Sequence, residues 1–295
     1  MDARRMERDI TAFGAPARIT YHSYVKNNRM IKESDMSIQG KSALVTGAGR
    51  GLGKSIAMAY ASRGMRVMML SLNGDELERS ANEIRQTTGG EILYCSGDVS
   101  NQDDVSRTVE AMMNRFGTVD VLVNNAGIIG PARFIEDADP QSWNRTLRVN
   151  LDGLYLCSRA VLPAMKMQQG GKIINIVSGL GEMPFPRFCA YAVSKAGAIQ
   201  FTRSIASEMK PWNIQVNAID PGVMDTSMQD MIREMDASIL GEEVHAEFMA
   251  YKRQNILKNP DDVAPLAVFL ASGASDHLTG EIGTLRHYRR LGWNA

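Results

Sequence analysis

The chain reads as an α/β protein built on one doubly wound, mainly parallel sheet, and three features of its order predict this. Short apolar runs rich in Val, Ile and Leu alternate with amphipathic segments of roughly ten to fifteen residues, the rhythm of successive βα units. The first apolar run passes at once into a glycine-rich turn and a helical pattern. No linker, repeat or low-complexity stretch interrupts the series, so a single domain is expected.

Residues 1–36 mix Arg4, Arg5 and Arg8 with Asp2, Glu7 and Asp9 and hold no apolar stretch of the kind a secretory leader needs. They are expected to form a flexible extension ahead of the domain at 37–285, Met36 resembling a natural start; an arm gripping a neighbouring subunit is the functional alternative. Residues 42–46 form the first strand. The turn Gly47-Ala-Gly-Arg-Gly-Leu-Gly53 then opens a helix to about Arg63. Glycines permit a tight turn and close backbone approach, and a helix N-terminus favours negative charge, so this succession makes a phosphate cradle.

Residues 66–71 read as the second strand, with a helix over 75–86; 91–95 is the third strand, ending at Asp98-Val99, and a helix follows over 101–116. A fourth strand at 120–123 runs into Asn124-Asn-Ala-Gly127. One long helical segment, 140–168, contains Asn150. The strand at 172–177 leads to Ser178, and the helix from Tyr191 to Lys210 is stopped by Pro211. A sixth strand, 213–219, ends at Asp220-Pro-Gly222. Each motif falls at a strand's carboxyl end, where parallel sheets bind ligands. Residues 223–258 break the rhythm: helix-prone, rich in Met and acidic residues, and placed after a strand end, they are expected to cover a substrate as a lid. Another helix runs from Pro260 to about Ser272.

Tyr191 and Lys195 form the core of the chemistry. Positions i and i+4 share a helix face with Cβ atoms about 5 to 6 Å apart. A free phenol ionises near pH 10, about 2 to 3 units too high for work near neutrality. An ammonium about 4 Å away supplies about 4 kcal/mol at an effective dielectric near 20, enough for that shift. Lys195 is therefore expected to lower the Tyr191 pKa and make the phenol a reversible proton donor.

Lys plus Arg equals Asp plus Glu at 33 each, so no net field attracts nucleic acid or an anionic membrane. No apolar run approaches the roughly 18 residues of a membrane span. Cys95, Cys157 and Cys189 are an odd number without metal-ligand spacing, and the four histidines are scattered. Neither a disulfide framework nor a metal site is expected, and a reducing cytoplasmic setting is.

Taken in their joint order, Thr46-Gly-Ala-Gly-Arg-Gly-Leu-Gly53, Asp98-Val99, Asn124-Asn-Ala-Gly127, Asn150, Ser178, Tyr191-x-x-x-Lys195 and Pro221-Gly-x-x-x-Thr226 resemble the short-chain dehydrogenase/reductase family over about residues 38 to 285, its 3-oxoacyl-reductase-like members in particular. The resemblance implies a Rossmann fold with a seven-stranded sheet and hydride transfer between a nicotinamide dinucleotide and a carbonyl or secondary alcohol. It places Thr46, Gly47, Gly49, Arg50, Gly51, Leu52 and Gly53 at the pyrophosphate loop, and Asp98 and Val99 at the adenine. Ser71 would stand at the second strand's end. Asn124, Ala126 and Gly127 would lie beside the adenosine ribose, and Pro221, Gly222, Val223 and Thr226 around the carboxamide. Tyr191 would be the general acid/base, Lys195 would also hold the nicotinamide ribose, Ser178 would bind the substrate carbonyl, and Asn150 would complete a water-linked relay to Lys195.

An acid at the end of the second strand would repel a 2′-phosphate; Ser71-Leu72-Asn73 stands there instead, and Arg50 could pair with that phosphate. NADP(H) is accordingly expected over NAD(H). Leu180, Met183, Phe188 and Met228, with Phe185, predict an apolar substrate pocket, and Glu182, Arg187 and His245 are candidate polar contacts. A ketone, acyl thioester or hydroxylated ring fits such a lining. Two other classes stay open: an isomerase or dehydratase using the same Tyr-Lys pair, and a catalytically silent binding subunit, which the complete tetrad disfavours. A homodimer or homotetramer is expected. The family commonly ends in a strand and a glycine pair, whereas here Gly280-Glu-Ile-Gly-Thr-Leu285 runs into a basic tail, 286–295, that either reaches a neighbour or an anionic substrate group or is simply solvated.

Overall fold

Seven parallel strands lie in the order β3-β2-β1-β4-β5-β6-β7. A computed structural model describes residues 36–294; all but the last residue of the extension expected over 1–36 lies outside them. The strands are β1 Ser42–Thr46, β2 Arg66–Ser71, β3 Ile92–Ser96, β4 Val121–Asn124, β5 Gly171–Ile176, β6 Ile214–Ile219 and β7 Ile282–Gly283. The order reverses between β1 and β4, which opens a crevice at their carboxyl ends.

The register carries one apolar row across five strands: Met68 and Leu122 flank Leu44, Ile173 follows Leu122, and Val216 follows Ile173. This row is buried with Val105, Val109 and Met112 of α3 (Gln102–Phe116), Cys157, Val161 and Met165 of α5 (Gly153–Gln168), and Ile205 and Met209 of α6 (Cys189–Met209). Each such side chain gains about 1.5 to 3 kcal/mol on leaving water. Elsewhere α1 (Gly51–Ala61) packs on α10 (Pro260–Ala271), and the buried Tyr60 hydroxyl donates to the Ala267 carbonyl at 3.1 Å.

Local sequence explains the helix ends. The Asn73 side chain accepts from the Glu76 N–H to start α2 (Gly74–Thr88), and Asn101 accepts from Asp103 and Asp104 to start α3; Gly89 and Gly117 close the two helices in left-handed conformation. The segment expected as one helix over 140–168 is two, α4 (Pro140–Leu147) and α5, joined by a wider π turn at Arg148–Asp152. Asn150 sits in that turn, a place where π distortions often serve function.

The chain after β6 carries α7 (Ser227–Arg233), α8 (Ala237–Leu240) and α9 (Glu242–Arg253). Its two ends are clasped: Asp225 N–H donates to the Lys258 carbonyl, Lys258 N–H donates to the Val223 carbonyl, and Lys252 Nζ lies 2.9 Å from the Asp225 carboxylate. The basic tail expected over 286–295 is corrected by α11 (Leu285–Arg290), which folds back on the domain. Tyr288 and Trp293 are buried, and the Tyr288 hydroxyl donates to the Ala218 carbonyl at 2.9 Å, while Arg286, Arg289 and Arg290 face water. The charges hid an amphipathic helix. Among the described residues no helix is long and apolar enough to cross a membrane.

Candidate active site

A cleft of about 1000 Å³ runs along the carboxyl ends of the strands. At one end the glycine loop joins β1 to α1. Gly47 and Gly51 have φ of +61° and +52°, a region that favours glycine. A Cβ on Gly47 would lie 2.9 Å from Ala126 Cα, and one on Gly53 would collide with the Gly47 carbonyl oxygen. Gly47, Arg50, Gly51 and Leu52 line the cleft, whereas Thr46, Gly49 and Gly53 stand behind it and set the loop's shape.

Thr46 does this through its hydroxyl, which accepts from the N–H groups of Asn125 and Ala126, each at 3.0 Å. The Asn125 side chain returns two bonds, donating to the carbonyls of Thr46 and Gly47 at 2.9 and 3.2 Å. Asn125, within the stretch Asn124 to Gly127 expected beside a ribose, therefore welds β4 to the glycine loop and lines the cleft with Ala126 and Gly127. Asn124, expected beside a ribose, points the other way: its Nδ2 donates to Ser158 and Asn175 in the interior. The reason is strand geometry, since successive residues face opposite sides of a sheet.

Asp98 and Val99 line the cleft where β3 ends. The Asp98 carboxylate accepts from Ser100 and from Arg145 Nη1 at 2.7 Å. Burial pushes this carboxyl up, but the Ser100 and Arg145 bonds outweigh it and hold the group below the ordinary carboxylate value.

Midway along the cleft, α6 presents Tyr191 and Lys195 beside Ser178 at the end of β5. Ser178 stands close enough to the Tyr191 phenol to lower its pKa, and Lys195 Nζ lies 5.6 Å from the Tyr191 ring centre. Burial works against the expected electrostatics. Burial pushes the phenol up to about 12; Ser178 lowers it less, and Asp220, at the end of β6, raises it further. Burial also pulls the Lys195 amine down to about 8, against Asp220, and that amine donates to the Ile176 carbonyl at 2.7 Å. Desolvation thus exceeds the attraction inferred from helix spacing, and a main-chain acceptor holds the lysine.

The Asn150 side chain makes no direct bond to Lys195. Its Oδ1 accepts from Ile128 N–H at 2.8 Å, and its Nδ2 donates to the Ile128 carbonyl at 2.9 Å and to Ser194 at 3.0 Å. The side chain is committed to fixing the chain beyond Gly127. Between Asn150 and Lys195 lies a void of about 10 Å³, near the lower limit for one water.

The far end is apolar. Phe185, Phe188, Phe248 and Tyr251 interlock with ring centres 5.6 to 6.0 Å apart, and Leu180, Met228, Ile232 and Met235 complete the wall. No charged side chain lines this end among the described residues. Met183 is corrected to a surface position at 68% exposure. The candidate polar contacts are engaged elsewhere: Glu182 lies 3.7 Å from Arg203, Arg187 bonds the Ile239 carbonyl and stacks on Phe134, and His245 meets the Arg233 carbonyl. Pro221, Gly222, Val223 and Thr226 line the cleft opposite the glycine loop, with Thr226 nearest Gly51.

A doubly wound sheet whose glycine loop, phenol, amine and serine share one crevice defines a nucleotide-binding oxidoreductase class. Residues 41–237 match the family model for short chain dehydrogenase, and the chain belongs to that family. It is an NAD(P)(H)-dependent oxidoreductase. It is 34% identical to a 3-oxoacyl-acyl-carrier-protein reductase of Chlamydia trachomatis, over 82% of this chain and 94% of that one. Identity to the 7alpha-hydroxysteroid dehydrogenase of Escherichia coli K12 is 32%, over 87% and 96%. Among solved structures, levodione reductase superposes with a TM-score of 0.78 at 26% identity, covering 86% of this chain and 99% of that one. A 7 alpha-hydroxysteroid dehydrogenase complexed with NADH and 7-oxo glycochenodeoxycholic acid superposes with a TM-score of 0.77 at 30% identity, covering 87% and 96%.

Proposed function

We propose that the cleft interconverts a ketone and a secondary alcohol, with Tyr191 as general acid/base, Ser178 holding the carbonyl oxygen and Lys195 positioned by Ile176 beneath them. The observation that carries this reading is the meeting of Tyr191, Ser178 and Lys195 where the polar and apolar halves of the cleft join. A nicotinamide dinucleotide suits the polar half: Gly47 and Gly51 hold the loop in left-handed turns where a Cβ on Gly47 would press on Asn125 and Ala126, and the cleft has room for an extended ligand. When bound, that group supplies or accepts the hydride.

The protein's own part is protonic. In reduction, a phenol held at about 12 is a neutral donor over the whole working range and delivers its proton to the carbonyl oxygen that Ser178 orients. A cationic Lys195 then stabilises the phenolate left behind. Asn150 supports the geometry by anchoring Ile128.

Arg50 supports NADP(H), the form expected from the sequence, but its pairing with Glu76 weakens that support. The aromatic end favours a ring-bearing or otherwise bulky apolar ketone without an anionic group near its carbonyl, and the name 7alpha-hydroxysteroid dehydrogenase among the relatives agrees. Residues 223–258 act in this reading as the lid over that substrate. Exposed Tyr155 on α5 and Val193 on α6 support assembly as a homodimer or homotetramer, and free Cys95, Cys157 and Cys189 support a reducing, cytoplasmic setting.

Tyr191→Phe tests the mechanism. It is expected to cut kcat/KM by about a thousandfold or more, as removal of a general acid does, while dinucleotide affinity measured by calorimetry stays unchanged. Retention of substantial turnover would overturn the role.

A further inference from the structure

We propose that Glu76 is the residue that sets cofactor choice and makes NAD(H), rather than NADP(H), the tighter ligand. The proposal rests on the reading of the cleft as a dinucleotide site.

Cofactor choice in such folds turns on the charge met by the adenosine ribose, beside the end of the second strand. The residues at that end carry no acid. Leu72 and Asn73 also line the cleft, but Leu72 is apolar and 63% exposed, and the Asn73 Oδ1 caps α2. That cap fixes the first turn of α2 against β2, and so directs Glu76 back toward the strand it follows. A Cβ built on Gly49 would lie 3.3 Å from Glu76 Oε2 and 3.4 Å from Ser71 Oγ. Carboxylate and hydroxyl therefore lie side by side under the glycine loop, and both line the cleft. A helix supplies the acid that the strand end lacks.

The cation assigned to a 2′-phosphate is already engaged. Arg50 Nη1 lies 3.5 Å from Glu76 Oε1, and Asp98 and Arg145 form a second pair at 2.7 Å on the β3 side. Both pairs leave this corner without a net positive charge to receive a dianion. The Arg50 side chain is 59% exposed and Glu76 25%, so water and salt screen the cation more than the acid. A carboxylate accepts hydrogen bonds from ribose hydroxyls and repels a phosphate in the same place. The charges at this corner thus disfavour the extra phosphate.

Equilibrium binding tests this on the full-length protein, with NAD⁺ and NADP⁺ titrated calorimetrically. Wild type is expected to bind NAD⁺ at least about tenfold tighter, the effect of about 1.4 kcal/mol. Glu76→Gln is expected to reduce that preference about tenfold, chiefly by tightening NADP⁺, with an unchanged melting temperature showing that the fold is intact. Arg50→Ala should weaken NADP⁺ more than NAD⁺. Tighter binding of NADP⁺ by wild type, or an unchanged ratio in folded Glu76→Gln, would overturn the assignment to Glu76 while leaving the dinucleotide site standing. Failure of wild type to bind either dinucleotide would overturn the reading of the cleft itself, and this proposal with it.

Discussion

The two ends of the cleft are built on opposite principles. At the glycine loop, position is fixed by backbone and short polar bonds: Thr46 and Asn125 tie β1 to β4, and the charges, Arg50 with Glu76 and Asp98 with Arg145, come in pairs. At the aromatic end, position is fixed by four interlocked rings and by methionines, with no charge lining the wall among the described residues. A directional polar lattice recognises one ligand shape and tolerates little change. An apolar wall is non-directional, and its flexible side chains can refit to different bodies of similar bulk. The difference suggests a constant ligand at the first end and the variable one at the second.

The largest expected effect breaks the rigid end. Gly53→Val places a side chain against the Gly47 carbonyl and within 2.6 Å of Asn125 Nδ2, backbone and a doubly bonded amide that cannot step aside. A loss of dinucleotide affinity of about a hundredfold is expected, about 2.7 kcal/mol, measured by calorimetry. A variant that binds normally would show that the loop is as adaptable as the aromatic end.

The apolar end should yield more gradually. Phe188→Ala removes a fully buried ring from the cluster, and such truncations cost about 3 to 5 kcal/mol. Denaturant unfolding should register that loss. KM should rise more for a bulky ketone than for a small one, while dinucleotide affinity stays put. Equal losses at both ends would mean that they are coupled rather than independent.

The smallest effect concerns the junction. Lys195, pulled down to about 8 by burial, loses its proton in the folded protein well before it would in the unfolded chain, near 10.4. Between these values the unfolded state binds more protons, so this residue makes stability rise with pH, the gain beginning as pH climbs through about 8. Measured without dinucleotide, the melting temperature of wild type relative to Lys195→Met should climb by about 2 to 5 °C across that window. A flat difference would place the amine in water rather than in the junction.

Most of the polar end was legible along the chain because each of its parts is local. A strand, a glycine turn and a helix start are consecutive residues, and Tyr191 and Lys195 are one helical turn apart. What was misread there failed for a physical reason. Asn124 and Asn125 look interchangeable in a string, but strand alternation sends one inward and the other to the cleft. The helix expected over 140–168 is two because the π turn at Arg148–Asp152 is invisible to helical periodicity. The C-terminal charges masked the buried Tyr288 and Trp293, and the Tyr288 hydroxyl finds its acceptor on Ala218 of β6, far away along the chain.

From the sequence alone came the family's architecture and the candidate reacting groups, because glycine conformations, helix caps and i to i+4 spacing are set within a few residues. Only the folded chain decided their electrostatics. Whether the phenol is acidified depends on how much water Tyr191 and Lys195 lose, and on Asp220 arriving from another strand. Whether a phosphate is welcome depends on Glu76 reaching back from α2 to Arg50. Charges act through space and burial is a property of the assembled core, so neither can be assigned from neighbours along the chain.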